Sequence, residues 1–126
     1  MEEIKLEDLQ SYRGRENDIG YIQIEIDAIY GSIPSGSGGG PSSQPGDPTT
    51  AKLRHIEKLQ RSMERMQRKN DEIDQWLESL DDRTLASIIR AHYIIGLSWR
   101  DTAQRVCKSD SHTTPLMIVR RFFGKL

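Results

Sequence analysis

Between residues 56 and 80 the apolar side chains keep a sevenfold rhythm. Ile56, Met63, Asn70 and Leu77 fall at position a, and Leu59, Met66, Ile73 and Leu80 fall at d. Steps of three and four place these side chains on one stripe of a helix. The flanks (Arg61, Glu64, Arg65, Gln67, Arg68, Lys69, Glu72) are charged or polar and read as solvated. Asp47-Pro48 supplies a start signal, with Asp as cap and Pro in the first turn. A helix from 48 to 80 runs about 45–50 Å at about 1.5 Å per residue. One apolar stripe on one helix is not stable in water. It needs a second helix of the same chain, another subunit, or both. Ile56, Leu59, Met63, Met66, Asn70, Ile73 and Leu77 are therefore candidate oligomerisation residues, with the polar Asn70 a possible register device. Trp76, at position g, is placed to cover the core edge or a partner helix.

Residues 4–30 supply a candidate cover. Leu9, Tyr12, Ile19, Ile22, Ile26 and Ile29 recur at spacings of 3, 4 and 7. Gly14 and Gly20 weaken the pattern, each by about 1 kcal/mol relative to Ala. The isoleucines near Tyr21 to Ile26 raise strand propensity, but the helical spacing spans the whole segment, so a helix is predicted. From Gly31 to Pro48 the chain is Gly-Ser-Ile-Pro-Ser-Gly-Ser-Gly-Gly-Gly-Pro-Ser-Ser-Gln-Pro-Gly-Asp-Pro. It lacks the Gly-Lys-Ser/Thr of a phosphate loop and the glycine spacing of a dinucleotide fingerprint. Residues 31–47 are predicted to be a flexible linker. It is long enough for the first helix to fold back antiparallel on the second, and two such hairpins can pair as a four-helix bundle.

The 126 residues suffice for one modest domain, or a small domain with an extended element. The net charge of -1 hides an asymmetry. Residues 1–80 carry ten Lys and Arg against fifteen Asp and Glu, whereas residues 81–126 carry eight against four. A basic end on an acidic body suggests a module that faces a polyanion; ordinary charge scatter is the alternative. The single cysteine, Cys107, excludes an intrachain disulfide and reads as a small core residue. The acidic start lacks a signal-peptide core and no run of 18 apolar residues occurs, so a cytoplasmic protein with no membrane partner is expected. His55, His92 and His112 are too scattered for a metal site, and Asp71, Glu72 and Asp74 read as a solvated flank. No nucleophile–base pair is evident, so neither an enzyme nor a cofactor is expected.

After the long helix, Asp81-Asp82 ends one helix and caps the next, in which Leu85, Ile88, Ile89 and Tyr93 share a face. Gly96 is a candidate C-cap. Ser98, followed three residues later by Asp101, begins another helix with Trp99, Ala103 and Val106 on one face. The polar stretch Lys108 to Thr113 is a turn. Thr113 or Thr114 then caps a last helix with Pro115 in its first turn and Leu116, Val119, Phe122 and Phe123 as its apolar stripe. The predicted fold is all-α: residues 1–80 form a long antiparallel helical hairpin (coiled coil), and 81–126 form a three-helix helix-turn-helix unit (82–94, 98–107, 114–124). Trp99, Phe122 and Phe123 are its predicted central residues. A helix in the major groove reads base edges with its N-terminal residues. The candidate DNA-binding residues are thus His112, Thr113, Thr114, Met117 and Arg121, with Arg120 at the edge. Arg100, Gln104 and Lys108 on the preceding helix are candidate phosphate contacts. A solvated face used for protein contact is the alternative.

The last three helices resemble region 4 of bacterial sigma factors. More closely, the chain is similar to small phage and prophage transcription regulators of the RinA/ArpU kind. The resemblance rests on Tyr93-Ile94-Ile95-Gly96-Leu97-Ser98-Trp99-Arg100-Asp101-Thr102-Ala103, on Arg121-Phe122, and on the order of helix, Gly/Ser/Pro break, long helix and helix-turn-helix. It implies a DNA-binding activator of phage late or packaging genes in a bacterial host cell, with double-stranded DNA and RNA polymerase as partners. A homodimer is expected from the hairpin and the two half-sites a dimer would read. Two other functions use the same parts: a small terminase-like packaging subunit, and a polymerase-binding module without DNA contact.

Overall fold

The computed structural model describes residues 3–33 and 48–124. Most of the predicted linker and the Asp47 cap lie outside the described residues. The described residues form helices and turns, with no strand among them. The helices are α1 (Leu6–Gln10), α2 (Tyr12–Gly31), α3 (Pro48–Ser79), α4 (Arg83–Ile89), α5 (Trp99–Thr102) and α6 (Thr113–Phe122). The chain divides into two units. One takes the residues up to Arg15 together with those from Lys69 onward, and the other is Glu16–Arg68. This differs from the sequence expectation of a break at residue 80: the first turns of the chain and the end of α3 belong with α4, α5 and α6.

Residues 4–30 are helical, but not as one helix. Ser11 is a turn residue between α1 and α2. The expected weak points, Gly14 and Gly20, lie within α2. At the join the Asp8 carbonyl accepts a hydrogen bond from the Arg15 Nη2 at 2.6 Å. A side chain that enters the backbone ladder is an established cause of a break or kink. Asp8 also caps the start of α1, because its carboxylate accepts from the Lys5 N–H at 2.8 Å.

The core of the first unit is one buried cluster: Ile4, Leu9, Tyr12, Ile73, Leu77, Leu85, Ala86, Ile88, Ile89 and Val119. Each fully buried Leu or Ile stabilises by about 1.5–3 kcal/mol. Polar pairs fix the register of α2 on α3. The Tyr12 hydroxyl donates to the Asp74 carboxylate at 3.0 Å. Asn70, at 5% exposure, accepts from the Arg15 Nε at 2.6 Å and donates to the Tyr12 carbonyl at 3.3 Å. In the second unit Ile26 and Ile56 are buried. Leu59, Met63 and Met66 are half-buried, and His55 lies 3.2 Å from Glu25. Burial within one chain thus accounts for the seam residues Ile56, Asn70, Ile73 and Leu77 without a second subunit.

Local capping follows the sequence at three points. The Asp82 carboxylate accepts from the Leu85 N–H, and the Ser98 hydroxyl accepts from the Asp101 N–H, both at 3.0 Å. Gly96 adopts φ 94°, a left-handed conformation suited to glycine. Two wider turns have no sequence forecast. Arg90–Ile95 after α4 and Ala103–Cys107 after α5 are wound as π-helix. They end alike. Gly96 and Leu97 both donate to the Ala91 carbonyl, at 3.1 and 2.9 Å, and Lys108 and Ser109 both donate to the Ala103 carbonyl. Lys108 takes the left-handed role of Gly96, at φ 54°.

Candidate nucleic-acid interface

α5, its π-wound continuation and α6 carry the residues singled out for DNA contact. α6 packs on α4 and α5 through Val119, which is 1% exposed, with Ile118 and Phe123 half-buried beside it. Pro115 is also fully buried. The apolar stripe differs from the expectation at Phe122, which is 48% exposed. Its ring lies 6.0 Å from Trp76 and 5.0 Å from Phe123. Trp76 therefore covers the core edge from α3, and Phe122 sits outside it rather than at the centre. A helical period fixes which positions share a face but not where the neighbouring helix ends.

The threonines also differ. α6 starts at Thr113 with His112 before it, and no side chain caps that end. The Thr113 hydroxyl instead meets the Ser111 hydroxyl at 2.7 Å, and the Thr114 hydroxyl meets Ser109 at 3.3 Å. Both threonines brace the turn from Lys108 to His112.

Of the proposed base-reading residues, His112, Thr113 and Arg121 are exposed, while Thr114 and Met117 are half-buried. Arg120 is exposed and lines a groove with Trp99, Leu116 and Val119. Arg100, Gln104 and Lys108 are exposed on α5 and the segment after it. Among the described residues Arg100, Lys108, Arg120 and Arg121 form no ion pair with a carboxylate. Such cations keep their charge available to an external anion.

The same groove contains a residue that sequence reasoning passed over. Arg13, from the first turn of α2, lies against Gly96, where an added Cβ would fall 2.5 Å from the guanidinium carbon. The left-handed backbone angle is what requires glycine at 96, since the Arg13 guanidinium is the free end of a flexible, exposed side chain that can move aside. No local pattern marks Arg13, because its neighbour is 83 residues away. Beside it the His92 ring stacks on Trp99, with centroids 3.7 Å apart and planes 18° apart, and His92 Nδ1 pairs with the Leu97 carbonyl at 2.7 Å. Burial lowers the His92 pKa, the Leu97 carbonyl opposes this, and Arg13 lowers it further. Burial raises the Tyr93 hydroxyl pKa, against the pull of Arg120. Burial also raises the Cys107 thiol pKa, the opposite of what activates a nucleophile.

No known family model matches this chain, and neither a curated protein nor a solved structure matches it. Its chemistry is therefore read from its own residues. Among the described residues no three His, Cys, Asp or Glu side chains are grouped to hold a metal ion. No helix among them is long and apolar enough to cross a membrane.

Proposed function

We propose that the chain is a DNA-binding transcription regulator of the phage or prophage late-gene activator type. In this reading α4, α5 and α6 are a sigma region 4-like helix-turn-helix unit, and α2 with α3 is an antiparallel hairpin that carries it. The observation that carries the reading is the set of exposed cations on α5, the turn after it and α6 that form no ion pair among the described residues: Arg100, Lys108, Arg120 and Arg121. Over residues 81–126 Lys and Arg outnumber Asp and Glu eight to four in a chain of net charge -1, so it is the positive balance that is local to this part of the sequence. Arg121 has the reach and fork geometry for a guanine edge, while Arg100 and Lys108 suit phosphates. The Ser109–Thr114 and Ser111–Thr113 contacts support it by holding the turn between the two helices. Two-fold association places two such units on successive half-sites.

The test is fluorescence anisotropy on a selected operator fragment and on generic duplex, over a salt series. Loss of binding on generic duplex that steepens with salt supports phosphate contact. Arg121→Ala weakens specific binding by about 1–3 kcal/mol and leaves generic binding nearly unchanged. No DNA binding at low salt refutes the reading and leaves the unit as a protein-binding surface.

A further inference from the structure

In the second unit α2 is apolar on two faces. Ile26 is buried, and Ile22 and Ile29 are half-buried beside it. On the reverse, Asn17, Gly20, Tyr21, Ile24, Ala28 and Gly31 are all exposed and none is charged. At 3.6 residues per turn these six fall within an arc of roughly 100°. Tyr21 is 71% exposed and Ile24 66% exposed, adjacent on that arc. Glu16, Asp18, Glu25 and Asp27 border it. Singly exposed apolar residues are ordinary, but an uncharged stripe along a helix is a candidate contact face.

We propose that this face is a two-fold interface with a second copy of the chain, in which α2 runs antiparallel to the partner's α2. Asn17, Tyr21, Ile24 and Ala28 are spaced four, three and four apart, the rhythm of a helix–helix seam. Their order of size is palindromic. Antiparallel pairing sets Tyr21 against the partner's Ile24 and Asn17 against the partner's Ala28. Large meets large at the centre, and small meets small towards the ends. An isologous interface must complement itself in this way, and an unrelated partner imposes no such symmetry. The seam of α3 is not available for the role, since Ile56 is 2% exposed within its own chain. From Asn17 to Gly31 the helix spans about 21 Å, which buries several hundred Å² per chain and places the contact in the weak, reversible class. Asp18 and Glu25 approach the partner's Glu25 and Asp18 at one edge, and Glu16 and Asp27 approach the partner's Asp27 and Glu16 at the other. Added salt screens that repulsion, so self-association strengthens with salt where DNA binding weakens.

Sedimentation velocity of the full chain over a wide concentration series tests this without DNA. The wild type forms a dimer whose population rises with concentration and with salt. Ile24→Glu weakens it by about tenfold or more, and circular dichroism shows the fold intact because position 24 is exposed. Ile24→Leu retains the dimer. Direction is read in a Cys107→Ser background. A mixture of Asn17→Cys and Ala28→Cys chains cross-links between the two variants, and neither variant links to itself. A wild type that stays monomeric overturns the proposal and assigns the face to another protein. A dimer unmoved by Ile24→Glu, or Asn17→Cys chains that link to each other, also overturns it.

Discussion

Replacing Asn70 by Leu decides between two accounts of the long helix by sign alone. In a bare heptad seam a polar a position costs stability, and Leu there raises it. In the structure Asn70 is the hub of a polar cluster. Its Oδ1 accepts from Arg15 Nε at 2.6 Å, and its Nδ2 donates to the Tyr12 carbonyl at 3.3 Å. Arg15 is itself partly sheltered, and burial holds its guanidinium below the usual arginine range, against the pull of Asp8 and Tyr12. Asn70→Leu removes one charge-assisted hydrogen bond, worth about 1.5–3 kcal/mol, and one neutral bond, worth about 0.5–1.5 kcal/mol. The gain from an apolar side chain there offsets about 1–2 kcal/mol. The net expectation is a destabilisation of about 1–2 kcal/mol, or a fall of roughly 5–10 °C in Tm. Thermal and urea unfolding followed by circular dichroism measure it. The double variant Arg15→Met with Asn70→Leu recovers only part of this, because the Arg15–Asn70 pair has gone from both sides while the Asp8 and Tyr12 carbonyls each lose a donor. A higher Tm for Asn70→Leu refutes the network account.

Three further outcomes follow from particular side chains. Lys108 holds φ 54°, so Lys108→Gly stabilises by about 0.5–1 kcal/mol in urea unfolding. The same variant loses one cation, and the salt slope of DNA binding falls by about one. The Thr102 hydroxyl is buried with no hydrogen-bond partner among the described residues, so Thr102→Val raises stability by about 1 kcal/mol, read from the urea midpoint. His92 has its pKa lowered on folding, so the unfolded chain binds the proton more readily. Stability therefore falls as pH drops below about 6.5, the ordinary histidine value, and levels off below the folded value. His92→Gln flattens that slope, and an unchanged slope assigns the pH dependence elsewhere.

Features that depend on a few consecutive residues were legible in the sequence. Asp82, Ser98 and Gly96 act within three or four positions of themselves, and the structure uses each as its residue type suggests. The long helix from Pro48 was equally legible, because its rhythm runs unbroken over many turns. Features set by distant neighbours were not. The join at Ser11 involves Arg15 and, through it, Asn70. Phe122 is exposed although its periodicity matches that of Val119. The π-wound ends of α4 and α5 involve no unusual residue, and Lys108 is not a side chain that forecasts a left-handed turn. In the candidate interface the exposed cations were readable one by one, whereas Arg13 entered only once the chain had brought it to Gly96.

That the first unit joins both ends of the chain bears on how it forms during synthesis. Val119, which completes the cluster of Leu9 and Tyr12, is added more than a hundred residues after them. At about 5–20 residues per second this is a wait of roughly 5–20 s. During it the apolar side chains of α1 lack their final cover, while residues 16–68 are already free to pair. Until α6 has been made, Leu9 and Tyr12 stay open to chaperones and proteases, because the core they belong to cannot close without Val119.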